Sequence, residues 1–289
     1  MKRATVFSLL AALLLPLVLA SFTRLGGDPL DRSSKLKSWW KEACAQKYYT
    51  VDFKKFKFVD LRTLCRGSDT SSQRKAGNLL ARVPSGGRSQ RWIAAFDNRG
   101  QFCGLVSESM IVADAGVKTR KGKEVYMNML LNTVHLPSAL YLVDNISYFT
   151  DKQGRIKRVY CPDLHLKSRG RNLNSQKYSV KFKDGVPGDN CGHLIPQALD
   201  GPTEQINYVP QRRDLNSGKI LELEKKAINA KKQGHKVSYE IKIFYHGNEK
   251  RPYGFENNVK VYDQNGKLIK NYTGMFDNSP KGGNNNYSK

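Results

Sequence analysis

The chain has 289 residues, with 49 Lys and Arg against 25 Asp and Glu and a formal charge of +24. That length suffices for one large domain or two smaller ones around a proper core. The charge reads either as a solvated surface or as the footprint of a polyanion partner, and it does not by itself separate nucleic acid from anionic lipid or cell-wall polymer. After the first twenty residues no long apolar run remains that would make a membrane-spanning helix, and the absence of Cys-x-x-Cys argues against a zinc site.

In chain order, Lys2 and Arg3 precede an apolar run from Val6 to Ala20 that is broken by Pro16 and ends in the small-residue pattern Val18-x-Ala20. Residues 1–20 therefore read as a secretory signal peptide. The run is shorter than the roughly 20 residues a spanning helix needs. No cysteine follows the cleavage position, which argues against a lipid anchor. The expected location is secreted or periplasmic, with no stable membrane association after cleavage.

Residues 21–140 carry no catalytic cluster, repeat or phosphate-cradling loop, and their role is open. Trp39, Trp40, Ala43 and Cys44 have helical spacing within Leu36 to Lys47. Ser68 to Gln73 and Pro84 to Gln90 read as polar loops, and Lys118 to Lys123 as a basic turn. Arg91 to Val106 reads as a hairpin turning at Asp97-Asn98-Arg99-Gly100.

Beyond Tyr141 the strand signals strengthen. Tyr148 to Thr150 leads into the turn Asp151-Lys152-Gln153-Gly154, and Arg155 to Tyr160 alternates basic and apolar residues as a half-buried strand does. Its basic face is either a solvated sheet edge or a phosphate-facing surface. Later, Val237 to Tyr245 alternates, and Val259 to Tyr262 and Leu268 to Tyr272 flank the Asn265-Gly266 turn of another hairpin. Residues 277–289, rich in Asn, Gly and Ser, are expected to form a disordered tail.

Between these strands lies the stretch with chemistry, Asp189 to Glu224. His193 sits in Gly192-His193-Leu194-Ile195, where a small residue lets the backbone pass closely and two apolar ones anchor it. Asn207 follows in Asn-Tyr-Val-Pro-Gln, and Asn216 stands at an expected helix start, capping a helix that runs to Lys232. On that helix Ile220, Leu221, Ala227 and Ile228 form the apolar stripe, and Glu224 falls inside it. A neutral imidazole, two carboxamides and a carboxylate suit metal-assisted phosphodiester hydrolysis. In that reaction the imidazole takes a proton from water and oxygen ligands hold a hard cation.

These residues resemble the DNA/RNA non-specific endonucleases, the ββα-metal or His-Me finger nucleases. The matching motifs are Gly192-His193-Leu194, Asn207-Tyr208-Val209-Pro210-Gln211, Leu215-Asn216 and Leu223-Glu224. The resemblance implies an α+β fold whose antiparallel or mixed central sheet carries a ββα-metal site, with the nuclease domain at 141–276. It implies His193 as general base, Asn216 as ligand of Mg2+ (or Mn2+ or Ca2+), Asn207 as the supporting amide and Glu224 as holder of metal-bound water. DNA and RNA are the implied substrates. Where the family often has Asp-Arg before Gly-His, this chain has Asn190-Cys191, and Ile220 replaces a usual aromatic. Arg171, in an Arg-Asn element with Gln176 downstream, is the candidate to replace the missing arginine, with Arg169 beside it as a second substrate-binding residue.

All five cysteines, Cys44, Cys65, Cys103, Cys161 and Cys191, lie after the apolar leader, where disulfides are permitted. A Cys161–Cys191 bridge clamping the His193 strand is expected, with one thiol left over. His165 reads as a structural histidine in a strand-like run, His235 as a cap of the helix that ends at Gly234, His135 as a loop residue and His246 as a turn residue, and none has a downstream asparagine pair of its own. The competing function is an exported, non-catalytic polyanion-binding protein on a nuclease fold. At the biological level the enzyme reading allows either nutrient degradation or a toxin.

Overall fold

The computed structural model describes residues 56–118, 124–169 and 173–280. The signal peptide, the helix expected at Leu36 to Lys47, the basic turn past Lys118, Arg171 and residues 281–289 lie outside them. Along the chain run β1 (Phe56–Asp60), α1 (Leu61–Arg66), α2 (Thr70–Arg82), α3 (Ser85–Arg88), β2 (Ile93–Asp97), β3 (Phe102–Val106), β4 (Met110–Ala113), β5 (Val117–Lys118), β6 (Glu124–Tyr126) and β7 (Leu140–Val143). There follow β8 (Ile146–Thr150), β9 (Ile156–Cys161), α4 (Leu173–Phe182), β10 (Asp189–His193), β11 (Tyr208–Arg212), α5 (Arg213–Ser217), α6 (Lys219–Lys232), β12 (Lys236–Phe244), β13 (Gly254–Tyr262) and β14 (Leu268–Asp277). Among the described residues no helix is long and apolar enough to cross a membrane.

The chain divides into two units: Met1–Asp114 with Thr133–Asp144, and Ala115–Asn132 with Asn145–Lys289. Ala115 to Asn132, expected in the N-terminal region, thus groups with the C-terminal unit. The first unit holds strands in the order β1-β2-β3-β4-β7, antiparallel except for the parallel β4–β7 pair. Strands β2, β3 and β4 are buried along their whole length, so their sequences are nearly continuous apolar runs. Helix α2 lays Ala76, Leu79 and Leu80 onto a core with Trp92, Leu105 and Met110. The expected hairpin of Arg91 to Val106 is β2–β3. The loop expected at Ser68 to Gln73 is instead the start of α2: Asp69 caps it, accepting from the Ser72 amide at 3.0 Å. Serines that favour caps and turns hide the helical period there.

The second unit holds the antiparallel order β8-β9-β12-β13-β14. One face of β12 and β13 presents Val237, Tyr239, Ile241, Val259 and Val261 to the core, where α6 packs on both strands. On the other face Arg158 pairs with Glu240 at 2.7 Å and Lys242 with Glu256 at 2.8 Å. Exposed pairs of this kind contribute under about 1 kcal/mol each. They also occupy Arg158, which stacks on Phe149 as well.

Two expectations are corrected here. Cys161 and Cys191 form no disulfide. Cys161 is on β9 of the large sheet and donates to the Asp163 carbonyl, whereas Cys191 is on the separate β10–β11 pair beside Ser179 and Lys183. Burial pushes both thiols up to about 12, which makes them inert hydrophobes. The disordered tail does not begin at Asp277, which ends β14, and Asn278 is completely buried. The Asn278 amide group donates to the carbonyls of Pro210 (3.1 Å) and Pro252 (2.8 Å), and its oxygen accepts from the Arg212 amide at 2.8 Å.

Candidate active site

Strands β10 and β11 pair antiparallel with His193 opposite Tyr208, their rings 4.9 Å apart. The origin of β10 is fixed by a buried bidentate ion pair, in which Arg251 donates to both oxygens of Asp189 at 2.8 Å. Near its end Gly192 is needed for close approach, because a Cβ there would stand 2.0 Å from Cδ of Gln211. Leu194 and Ile195, the expected anchors, are fully buried.

Asn207 is completely buried and its carboxamide is fully committed. Its oxygen accepts from the Ile195 amide (2.8 Å) and the Tyr148 hydroxyl (3.0 Å), and its nitrogen donates to the carbonyls of Ile195 (2.9 Å) and Pro202 (3.0 Å). The Leu194 amide donates to the Asn207 carbonyl at 2.8 Å. Asn207 is therefore a positioning residue that ties both ends of the loop after His193, and it has no valence left for substrate. Lys183 adds a second tie, donating from Nζ to the carbonyls of Gln205 (2.7 Å) and Tyr208 on either side of Asn207. Desolvation holds its ammonium down at about 8.

The intervening loop leaves no room for side chains at its turn. A Cβ on Gly201 would meet the Ile195 carbonyl oxygen at 2.1 Å. Gly201→Ala is expected to cost about 2–3 kcal/mol by forcing backbone apart, measured as a lower urea midpoint with the slope unchanged. Arg169, expected to bind substrate, is engaged with this loop. Its side chain is 8% exposed and lies 2.7 Å from Asp200 Oδ1, while it also donates to the carbonyls of Asp200 and Gly116. Glu204, unremarked in the sequence, is buried and accepts from the amides of Gly116 (2.6 Å) and Asn128 (3.1 Å), pinning the Ala115–Asn132 segment to the loop. Burial raises its carboxyl above the usual range.

The helix after β11 is broken. Asn216 does not cap it but lies inside the short α5, which Gly218 separates from α6, where a Cβ would stand 2.5 Å from the Asp214 carbonyl oxygen. Helix α5 packs on both β10 and β11, and the Arg213 amide donates to the Gly188 carbonyl at 3.1 Å. The α6 stripe is Ile220, Leu223, Ala227 and Ala230, with Leu221, Glu224 and Ile228 half-buried on its border.

The side chains of Asn216 and Glu224 make no hydrogen bond or ion pair with other described residues. Desolvation alone pushes the Glu224 carboxyl up to about 7. A raised carboxyl pKa means the unfolded chain ionises first, so this group's contribution to stability is full below pH 4.5 and declines as pH rises to about 7. In EDTA, Glu224→Gln is expected to stabilise the protein by roughly 1–2 kcal/mol above pH 7 and to be neutral at low pH, read from thermal melts at both. A lower melting temperature for the variant at high pH would contradict this.

His193 thus ends β10, Asn207 ends the 3-10 turn Gln205–Asn207 just before β11, and Asn216 lies on α5, which packs on both strands. Residues 137–263 match the family model of the DNA/RNA non-specific endonucleases. Over 113 residues the chain is 36% identical to the type VII secretion system protein EssD of Staphylococcus aureus strain USA300, covering 36% of this chain and 18% of that protein. The same protein from strain NCTC 8325 matches equally. The chain thus spans under a fifth of the length of these relatives.

Among solved structures, the chain is similar to an extracellular endonuclease (18% identity, TM-score 0.35, 47% of this chain and 79% of that one). It is also similar to the Sda1 nuclease with bound zinc ion (21% identity, TM-score 0.28, 33% of this chain and 40% of that one).

Proposed function

We propose that the chain is an exported, divalent-metal-dependent endonuclease that hydrolyses phosphodiester bonds of DNA and RNA without base preference. The supporting observation is the pair of oxygen-bearing side chains, Asn216 and Glu224, without hydrogen-bond or ion-pair partners among the described residues: Asn216 lies on α5, which packs on the His193 hairpin, and Glu224 on α6, which packs on α5, β12 and β13. A half-buried carboxylate with no counter-charge is costly, and it fits a site completed by a hydrated cation.

Among the described residues no cluster of three or more His, Cys, Asp and Glu is placed to hold a metal. The fit is therefore to Mg2+, which keeps most of its waters and needs few protein oxygens; Mn2+ or Ca2+ would substitute. In this reading Asn216 ligates the ion and Glu224 holds its water. When bound, the ion stabilises negative charge on the scissile phosphate and the leaving oxygen. His193, held at the end of β10 by Asn207, accepts the proton of the attacking water. Arg171 and the surrounding Lys and Arg hold the phosphate backbone, which carries no base information. The leader of residues 1–20 directs the protein out of the cytoplasm.

The test is incubation of purified protein with supercoiled plasmid, and separately with RNA, in Mg2+ or in EDTA. Nicking and degradation in Mg2+ and their loss in EDTA are expected. Binding without cutting in Mg2+, Mn2+ and Ca2+ alike would establish the competing reading, a non-catalytic polyanion-binding protein on a nuclease fold.

A further inference from the structure

The first unit carries a basic face that the proposed reaction does not use. Helices α1 and α2 bury Leu61, Leu64, Ala76, Leu79 and Leu80. Gln73, on the flank of α2, donates to the carbonyls of Leu64 (3.0 Å) and Gly67 (2.7 Å), which brings the end of α1 beside the start of α2. Arg66, Arg74 and Lys75 are exposed around this junction, and no described residue forms a salt bridge with them.

Residues 61–82 hold five Lys and Arg against one acid, Asp69, and that carboxylate is engaged in capping α2. Arg82 is engaged elsewhere, pairing with Asp114 at 2.9 Å. Thr70, Ser71 and Asn78, whose side chains can donate hydrogen bonds, are also exposed on α2, and among the described residues no large apolar side chain is exposed on either helix. A membrane-surface helix needs an exposed apolar face. Phosphate oxygens need only charge and hydrogen-bond donors.

We propose that this α1–α2 face binds the sugar-phosphate backbone of nucleic acid, as a second contact surface outside the His193 hairpin. The inference extends the nuclease reading but does not depend on cutting, so it is tested in the full chain with His193→Ala. Binding of a fluorescent duplex of about 30 base pairs is measured by anisotropy across a salt series. Adding Arg66→Gln, Arg74→Gln and Lys75→Gln together is expected to weaken binding about tenfold or more at low salt. The slope of log Kd against log salt should flatten by about 3, one phosphate contact per residue. Each single substitution should flatten it by about 1, which preserves the test if the triple variant misfolds.

Removing the same charge elsewhere, by Lys236→Gln, Lys260→Gln and Lys267→Gln, is expected to change affinity by only about twofold, through the net field alone. Hydrolysis of a small p-nitrophenyl phosphodiester by the His193-containing chain should be unaltered by the Arg66, Arg74 and Lys75 changes. Equal losses from the two triple sets, unchanged duplex affinity, or loss of binding seen only with anionic phosphatidylglycerol vesicles would overturn the proposal.

Discussion

His193→Ala is expected to lower plasmid hydrolysis in Mg2+ by about 10²- to 10⁴-fold, the range for removal of a positioned general base. The imidazole is half-buried at the last position of β10, against the Tyr208 ring at 4.9 Å, and the neighbouring anchors Leu194 and Ile195 do not depend on it. The fold should therefore survive, with unfolding shifted by about 1 kcal/mol or less for a partly exposed contact. Nucleic-acid affinity should be nearly unchanged, since Lys and Arg supply it. The measurement pairs initial nicking rates with duplex affinity in the same preparation. Added free imidazole, which can enter the space vacated, should restore part of the rate. A variant that cuts within a few-fold of the parent would remove His193 from the mechanism.

Asn207→Ala is expected to have the largest effect on stability, and on activity through the same contacts. Truncation removes the acceptor of the Tyr148 hydroxyl and the Ile195 amide and the donor to the carbonyls of Ile195 and Pro202, all four bonded to this carboxamide. An unsatisfied buried polar group costs about 1–3 kcal/mol, with partial relief from water entering the space, so a loss of roughly 3–5 kcal/mol is expected. Since the loop begins immediately after His193, activity should fall even at temperatures where the variant is fully folded. Asn207→Asp separates the contributions: it keeps an acceptor for Ile195 and Tyr148 but loses the donors to Ile195 and Pro202. Urea midpoints and nicking rates of both variants check this. If Asn207→Ala unfolds at the parental midpoint, the loop is held by something other than this amide.

Strand alternation and turn residues were legible along the chain. The β2–β3, β8–β9 and β13–β14 hairpins lie where the Asp-Asn-Arg-Gly, Asp-Lys-Gln-Gly and Asp-Gln-Asn-Gly turns put them, and β9 and β12 where alternation does. In each turn the Asp side chain bonds its own following amides, a contact spanning four residues or fewer. The motif around His193 was legible for the same reason, since Gly192, Leu194 and Ile195 act within one strand and its end. The α2 start was hidden, because Asp69, Thr70, Ser71 and Ser72 favour turns as readily as a cap.

The sequence by itself determined the β2–β3, β8–β9 and β13–β14 hairpins with their turns and the alternating strand β12, because those follow from interactions between near neighbours. Only the tertiary structure decided the fate of groups whose partners lie far along the chain. It assigned Arg169 to Asp200, closed Asn278 onto Pro210, Arg212 and Pro252, and placed Cys161 and Cys191 in separate sheets. A buried polar group must find a partner wherever packing presents one, and which residue packing presents is a property of the three-dimensional arrangement that no local pattern encodes.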